Sequence, residues 1–230
     1  MREFFVNSAY FGAVITLVTY GIGALLKKYT KLAVFNPILI SSILVIVSLL
    51  LLNVDYDTYY ETADFISYLL TPATVSLAIP LYEQLEILKK NFKAIVLGIG
   101  IGSLTSVLSV LALSASFGFN HAEYVSFLPK SITTAIGMDI SGEIGGYVSL
   151  TIAAIILTGV LGNVIAEPLC KVFHIEEPVA KGVAIGTSAH ALGTAKAIEM
   201  GEVEGAISGL SIVVCGLLTV VWCGVFSGLI

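Results

Sequence analysis

The sequence predicts an all-α, polytopic membrane protein. Hydrophobic residues make up 57% of the 230 residues and charged residues only 12%, whereas a soluble domain is about a quarter charged. Six stretches contain no Asp, Glu, Lys, Arg or His, and their lengths lie near the roughly 20 residues that an apolar helix needs to cross a bilayer. Runs such as ILVIVSLLLL do not alternate between apolar and polar residues, so barrel strands are excluded. The stretches are 8–26, 32–52, 65–82, 94–119, 144–166 and 205–230.

The first of these stretches is interpreted as a membrane helix. The start of the sequence, MREFFVNSAYFGAV, has one arginine and one glutamate and continues into a full-length span. A removed signal peptide would have a shorter apolar region.

Basic residues orient the predicted helices. Lysine clusters at 27–31 and 89–93 occupy the loops after the first and third stretches, whereas the loop at 55–61 is acidic. Short cytoplasmic loops carry an excess of Lys and Arg. This predicts a multi-pass protein of the cytoplasmic (inner) membrane with its N-terminus outside.

The segment 124–143 leaves two crossing counts open. If Lys171 and Lys181 are also cytoplasmic, this segment enters and leaves on the outer side. The chain then has seven crossings plus one re-entrant segment, and its C-terminus is inside. If the segment crosses fully, there are eight. The positive-inside rule favours seven.

Two polar segments predict an inverted repeat. TPATVSLAIPLYE (71–83) and TSAHALGTAKAIE (187–199) share Thr, Ala and Glu at three offsets, and each leads through a charged loop into a long span. With seven crossings they run in opposite directions, which predicts inverted halves, 4–119 and 122–230, within one transmembrane domain, 1–230. In such transporters the substrate lies near the midplane, where broken helices expose their ends.

Both segments are expected to be broken helices. Pro72 and Pro80 each remove a backbone donor, and Gly186 and Gly193 flank the TSAH run (187–190). Non-helical backbone at membrane depth is tolerated only where protein or a watery cavity satisfies its polar groups. We therefore expect these segments to line a cavity.

A third polar segment, FLPKSITTAIGMDISGEIGG (127–146), predicts an anion site. Pro129 is expected to begin a helix, with Lys130 and the hydroxyls of Ser131, Thr133 and Thr134 just inside it. Exposed N–H groups at a helix N-terminus attract anions. Lys130 either meets a substrate charge or extends to the membrane interface, and the sequence leaves both readings open.

Enzyme, metal and nucleic-acid functions are not expected. The sequence has no GxSxG, HExxH or P-loop motif, no CxxC pair, and histidines without metal-site spacing. Ser131 beside Lys130, or Ser188 near His190, would not face each other on a helix. No cofactor is therefore predicted.

Four runs identify a family resemblance. They are LLTPATVSLAIPLYEQ (69–84), LPKSITTAIGMDIS (128–141), GGYVSLTIAAIILTGVLG (145–162) and GTSAHALGTAKAIEMGEVEGAISGL (186–210). They closely resemble the LrgB/CidB family, and the resemblance runs from about residue 5 to the C-terminus.

This resemblance implies two kinds of function. Bacterial members are named antiholin-like or murein-hydrolase-export proteins and act with a small LrgA/CidA-type membrane partner. A plant plastid member exchanges glycolate and glycerate, and some bacterial pairs are associated with pyruvate uptake. The resemblance therefore implies a carrier of short 2-oxo or 2-hydroxy monocarboxylates.

The sequence departs from the family pattern at two positions. Relatives commonly carry TTP where Ala135 stands, and arginine where Lys196 stands. Arginine can hold a carboxylate through two parallel bonds and lysine cannot. Whether Lys196 contacts substrate is left open.

The leading hypothesis is a secondary carrier of small monocarboxylates such as pyruvate, glycolate and glycerate. Lys130 would supply the charge, and His190 would bond substrate, carry a proton or bond a neighbouring carbonyl. The alternative is a holin/antiholin-like protein that modulates murein hydrolase export and autolysis. Glycine pairs such as Gly98/Gly102 fit close helix packing, and a homodimer surrounded by lipid is expected. The predicted substrate-binding residues are Thr71, Thr74, Lys130, Ser131, Thr133, Thr134, Thr187, Ser188, His190 and Thr194.

Overall fold

A computed structural model describes residues 8–30, 35–76 and 78–230, and every regular element in these ranges is helical. The helices are α1 (Phe11–Thr30), α2 (Pro37–Leu52), α3 (Tyr56–Ala63), a 3₁₀ helix (Asp64–Leu69), α4 (Leu70–Ser76), α5 (Ala78–Glu83), α6 (Leu85–Lys90), α7 (Phe92–Phe117), α8 (His121–Phe127), α9 (Thr134–Glu143), α10 (Val148–Val172), α11 (Pro178–Met200), α12 (Glu202–Phe226) and a final 3₁₀ helix (Ser227–Leu229). The chain divides into two compact units, 1–76 and 77–230.

Several helices are long and apolar enough to cross a membrane. By length and composition, five segments qualify among the described residues: Phe11–Thr30, the succession of helices in Tyr56–Glu83, Phe92–Phe117, Val148–Val172 and Glu202–Leu229. At 1.5 Å per residue, the 26-residue α7 is about 39 Å long. The prediction of an all-α, multi-pass membrane protein is therefore confirmed.

The first unit is held by hydroxyl pairs between its helices. The Thr19 and Ser41 hydroxyls lie 2.9 Å apart and join α1 to α2. Thr16 and Tyr59 form a second hydroxyl pair, at 2.8 Å, between α1 and α3. Such bonds hold apolar helices together where lipid provides no hydrophobic driving force.

Helix α2 begins at Pro37, later than the predicted stretch 32–52, and residues 31–34 lie outside the described residues.

In the second unit, α8 and α9 form a helical hairpin, hairpin one (121–144). Its two ends meet, because the His121 Nε2 atom lies 3.2 Å from the Ile144 carbonyl oxygen. The backbone N–H of Tyr147 donates to the Ser126 hydroxyl at 2.7 Å. Helices of 7 and 10 residues are too short to cross a bilayer. The two ends of the segment therefore lie side by side, and the number of crossings stays a prediction.

Helix α11 forms a second hairpin, hairpin two (178–200). It breaks at His190, whose φ of 42° and ψ of −138° are not helical. A Cβ built at Gly193 would lie 3.2 Å from the Ile185 carbonyl oxygen, whereas eight residues of straight helix separate two positions by about 12 Å. The arms 178–189 and 191–200 therefore lie antiparallel, side by side.

Contacts with α12 confirm this reversal. A Cβ at Gly186, in the first arm, would collide with the Ser208 carbonyl oxygen. In the second arm, the Thr194 and Ser208 hydroxyls lie 2.7 Å apart. Both arms thus reach the same turn of α12. The expected break in this segment is confirmed: it falls at His190, inside the TSAH run that the two glycines flank, and those glycines serve as close-packing positions.

The two hairpins enter from opposite ends of α12. Near the start of α12, Glu204 lies 3.8 Å from the Lys181 ammonium at the base of hairpin two. At its other end, the Tyr124 hydroxyl of hairpin one donates to the Phe226 carbonyl at 2.9 Å. Since α12 is 25 residues long, about 37 Å separate these ends. Phe226 and Lys181 therefore lie at opposite ends of the unit, unlike the predicted arrangement in which the C-terminus shares a side with the Lys171/Lys181 loop.

Within 78–230, a long helix followed by a hairpin occurs twice in opposite directions. Helix α7 leads into hairpin one, and α10 leads into hairpin two from the other end. The predicted inverted halves, 4–119 and 122–230, do not coincide with this pair, nor with the division into two units. They stay a prediction.

Candidate functional site

A cavity of about 620 Å³ lies in the second unit between α7, α10 and the two hairpins. Its polar lining comes from the hairpin tips and the middle of the two long helices, and its apolar lining from the end of α10 and the base of hairpin two. The polar lining residues are Thr105, Ser106, Ser109, Lys130, Ser131, Thr158, Thr187 and Ser188. The larger apolar ones are Leu161, Ile165, Leu169, Phe173, Ile175, Val183 and Ile185.

Lys130 is the cation of this cavity. Its ammonium donates to the Ser131 hydroxyl at 3.1 Å and to the Ser106 hydroxyl at 3.3 Å. The two hydroxyls lie 3.0 Å apart, so the three groups form a triangle. Across residues 8–30, 35–76 and 78–230, no carboxylate lies within ion-pair distance of Lys130. The ammonium therefore faces the cavity with hydroxyl partners alone.

A turn, and not a helix start, positions Lys130. The Lys130 N–H donates to the Phe127 carbonyl at 3.2 Å, and the Ile132 N–H to the Pro129 carbonyl at 3.3 Å. Helix α9 begins only at Thr134, with Thr133 as its N-cap residue. The predicted helix start at Pro129 is wrong, because the fixed φ of proline suits a turn equally well. The buried side chains of the tip, Ile132 among them, anchor this turn in the core.

Hairpin two contributes Thr187 and Ser188. Ser188 donates to the Ala184 carbonyl at 2.7 Å and lines the cavity from an exposed position. The Thr187 hydroxyl is buried and has no hydrogen-bond partner among the described residues. An unsatisfied buried donor costs about 1–3 kcal/mol, so this hydroxyl is available to a bound molecule.

A family model described as the LrgB-like family matches residues 16–229, which include both hairpins and the cavity. The chain belongs to the LrgB-like family. The Antiholin-like protein LrgB of Bacillus cereus strain B4264 is 41% identical over 213 residues, covering 92% of this chain and 93% of that protein. The Antiholin-like protein LrgB of Bacillus anthracis strain A0248 matches to the same extent. No solved structure matches significantly. Of the two expected functions, the relatives' name agrees with the antiholin-like one.

In this LrgB-like chain, His190 and Thr194 lie beside the cavity but do not line it. The His190 Nε2 atom lies 3.0 Å from the Ile155 carbonyl oxygen on α10, and since a carbonyl only accepts, Nε2 carries the hydrogen. Thr194 donates to the His190 carbonyl at 2.9 Å. The geometry assigns both residues an anchoring contact at the tip of hairpin two, and their contact with substrate stays a prediction.

Glycines on α10 make room for that tip. A Cβ at Gly159 would lie 2.6 Å from the His190 ring, and one at Gly162 would collide with Ala189. The Asn163 side-chain amide donates to the Leu192 carbonyl at 2.5 Å. These contacts seat the non-helical residue of hairpin two against the middle of α10.

The remaining predicted site residues lie elsewhere. Thr133 and Thr134 begin α9 and do not line the cavity. Thr71 and Thr74 lie in α4 of the first unit; Thr71 is exposed within that unit, and the side chain of Thr74 lies outside what the structure describes. Their contact with substrate stays a prediction.

Sequence reasoning missed the face of α7 that lines the cavity. Gly98, Gly102 and Ser106 are spaced by four residues, and Ser109 follows three later. This spacing places them on one face of a helix. This stripe of glycine and serine residues on α7 is the sequence signal that could have identified this wall of the cavity.

Lys196 belongs to an ion-pair network at the base of hairpin two. Its ammonium lies 2.8 Å from Glu167 and 3.4 Å from Glu199, and Glu167 also pairs with Lys171 at 2.9 Å. These residues line a second, charged cavity of about 460 Å³. Lys196 thus ties the second arm of hairpin two to the end of α10 and does not line the cavity of Lys130.

Proposed function

We propose that this LrgB-like protein carries small monocarboxylates across the membrane and binds the carboxylate beside Lys130. The observation that supports this proposal is a lysine ammonium in an otherwise mostly apolar cavity, bonded only to the hydroxyls of Ser106 and Ser131. Ionisable groups within membrane proteins are costly and almost always find a partner. A carboxylate substrate would supply the missing charge, and the Thr187 hydroxyl a further donor.

The opposed hairpins support a carrier over an open pore. In secondary transporters, inverted elements with broken helices meet at a midplane site, and access alternates by moving one element against another. Here hairpin two forms one wall of the cavity through Val183, Thr187 and Ser188. Its displacement from α10 would change access to Lys130.

The geometry also supports a revised orientation. Lys171, Lys181 and the lysines preceding α7 cluster where α10 ends and α7 begins, and the positive-inside rule makes that end cytoplasmic. In the second unit, α7, α10 and α12 would then cross, and both hairpins would re-enter. Phe226 would face outward, which replaces the expected cytoplasmic C-terminus. The cavity would open toward the cytoplasm near Phe173 and Ile175.

The second candidate function is an antiholin-like role in murein hydrolase export and autolysis. It is supported by the name of relatives that are 41% identical over 92% of this chain. In this role, membrane leakage would be non-saturable and indifferent to solute chemistry. Under either proposed function, we expect the protein to form a homodimer and to act with a small LrgA/CidA-type membrane partner.

Purified protein in liposomes separates the two. We expect saturable uptake of labelled pyruvate, with competition by glycolate and glycerate, and no release of a larger neutral dye. Dye release, or uptake that rises linearly and ignores competitors, would favour the antiholin-like function. Empty liposomes and liposomes that also contain the LrgA-type partner are the controls.

Cysteine labelling tests the two hairpins. In a background without the three native cysteines, Glu176→Cys and Glu199→Cys lie at the two ends of hairpin two, and Glu123→Cys and Glu143→Cys lie at the ends of hairpin one. We expect an impermeant thiol reagent to label the last pair in intact cells and the first pair only after the cytoplasmic side is opened. Labelling of Glu176→Cys and Glu199→Cys from opposite sides of the membrane would refute the proposal that hairpin two re-enters on one side.

A further inference from the structure

The wall of the cavity changes from polar to apolar with distance from the hairpin tips. On α10, Thr158 lines the cavity near the tips, and Leu161, Ile165 and Leu169 follow at three- and four-residue spacing toward the end of the helix. Phe173, just beyond α10, continues this apolar stripe. The twelve residues from Thr158 to Leu169 span about 16 Å of helix.

The cavity is larger than a three-carbon acid requires. Its volume of about 620 Å³ falls within the range of roughly 300–1,000 Å³ that holds drug-sized ligands. A pyruvate-sized anion held by Lys130 and its neighbouring hydroxyls would fill only the polar end. The apolar stripe would then have no ligand atoms against it.

We infer that the site takes monocarboxylates whose remainder is an apolar tail of roughly four to eight carbons, given that about 12 Å of helix lies between Leu161 and Leu169. The inference rests on the proposed carboxylate site. The carboxylate binds Lys130, and the tail lies along Leu161, Ile165 and Leu169. Each buried methylene contributes about 0.8 kcal/mol, which corresponds to roughly fourfold in affinity.

A series of straight-chain acids tests the inference. Acetate, butyrate, hexanoate and octanoate compete with labelled pyruvate uptake in liposomes, at concentrations that release no dye. We expect the half-inhibitory concentration to fall by up to about fourfold per methylene until the stripe is filled. Binding is read separately as the rise in Tm of the detergent-purified protein with each acid, a measurement that needs no transport.

A matched pair of variants distinguishes binding of the tail in the cavity from partition of the acid into the bilayer. Leu161→Ser changes the stripe, whereas Leu157→Ser changes a leucine of similar exposure, one turn away, that does not line the cavity. We expect Leu161→Ser to weaken octanoate inhibition about tenfold and to leave acetate inhibition within about twofold, since the head-group site is intact. Leu157→Ser should change neither.

Each outcome decides between the inference and the proposed function. If pyruvate and acetate compete but chain length has no effect, the inference is wrong and the carrier remains. An octanoate effect that is equal in both variants would reflect partition into lipid and would also overturn the inference. A graded Tm shift that Leu161→Ser removes, without saturable uptake, would support the inference and refute the carrier. Neither competition nor Tm shift with any acid would refute both.

Discussion

Lys130→Gln is expected to lower the ratio of maximal rate to KM for pyruvate uptake by roughly 10- to 150-fold. A hydrogen bond to a charged group contributes about 1.5–3 kcal/mol, and each 1.36 kcal/mol corresponds to a factor of ten. Glutamine keeps donors near Ser106 and Ser131 but removes the only charge in the cavity lining. The measurement is the initial rate of uptake against pyruvate concentration in liposomes.

A second lysine provides the control for this experiment. Lys90→Gln removes one charge from an exposed position at the end of α6, and we expect it to leave uptake unchanged. The Ser106 and Ser131 hydroxyls also bond directly to each other at 3.0 Å. This bond does not depend on the Lys130 ammonium, so we expect the fold to persist, and an unchanged Tm would verify it. Normal uptake by a well-folded Lys130→Gln protein would refute the carboxylate site.

Gly186→Ala is expected to lower the Tm of the detergent-purified protein by about 2–12 °C. The added Cβ would collide with the Ser208 carbonyl oxygen and lie 2.7 Å from the Ser211 Cβ. Backbone cannot move aside as a flexible side chain can, so hairpin two and α12 must separate. Overpacking of this kind costs about 1–3 kcal/mol, and each kcal/mol lowers the Tm of a chain of this size by about 2–4 °C.

Gly209→Ala is the matched control. Gly209 lies on the same helix as Ser208, and a Cβ there would meet no atom within 4 Å. Alanine is favoured over glycine in a helix by up to about 1 kcal/mol, so we expect the Tm to stay the same or to rise. If Gly186→Ala behaved like Gly209→Ala, the close approach of hairpin two to α12 would be refuted.

Under the proposed carrier function, hairpin two would be the element that opens and closes the cavity. Its tip is held by the bond between His190 and the Ile155 carbonyl, and the base of its second arm by the Lys196–Glu167 ion pair. Its first arm lines the cavity through Thr187 and Ser188. A movement of this wall would have to break these polar contacts on α10 and also shift both arms from their close packing against α12.

The sequence was sufficient for the membrane class and the family, and it named residues that the structure places around one cavity, whose contact with substrate stays a prediction. Long runs without charge have one stable outcome in lipid, because a spanning segment must satisfy its own backbone bonds and a helix does so. Lys130, Ser131, Thr187 and Ser188 were all predicted as site residues from their polar character, and all four line the cavity. A lysine or a group of hydroxyl residues within an apolar stretch can be identified from the sequence without any knowledge of the fold.

The reversal at His190 was decided only by the tertiary structure. On both sides of this residue the sequence favours helix, and no proline or turn motif marks the break within 187–193. The reversal depends on Gly159, which admits the His190 ring, and on Ser208, which both arms contact. The local sequence predicted a break near the TSAH run, but these partners are distant along the chain, so only packing at glycines from other helices determines that the helix turns back.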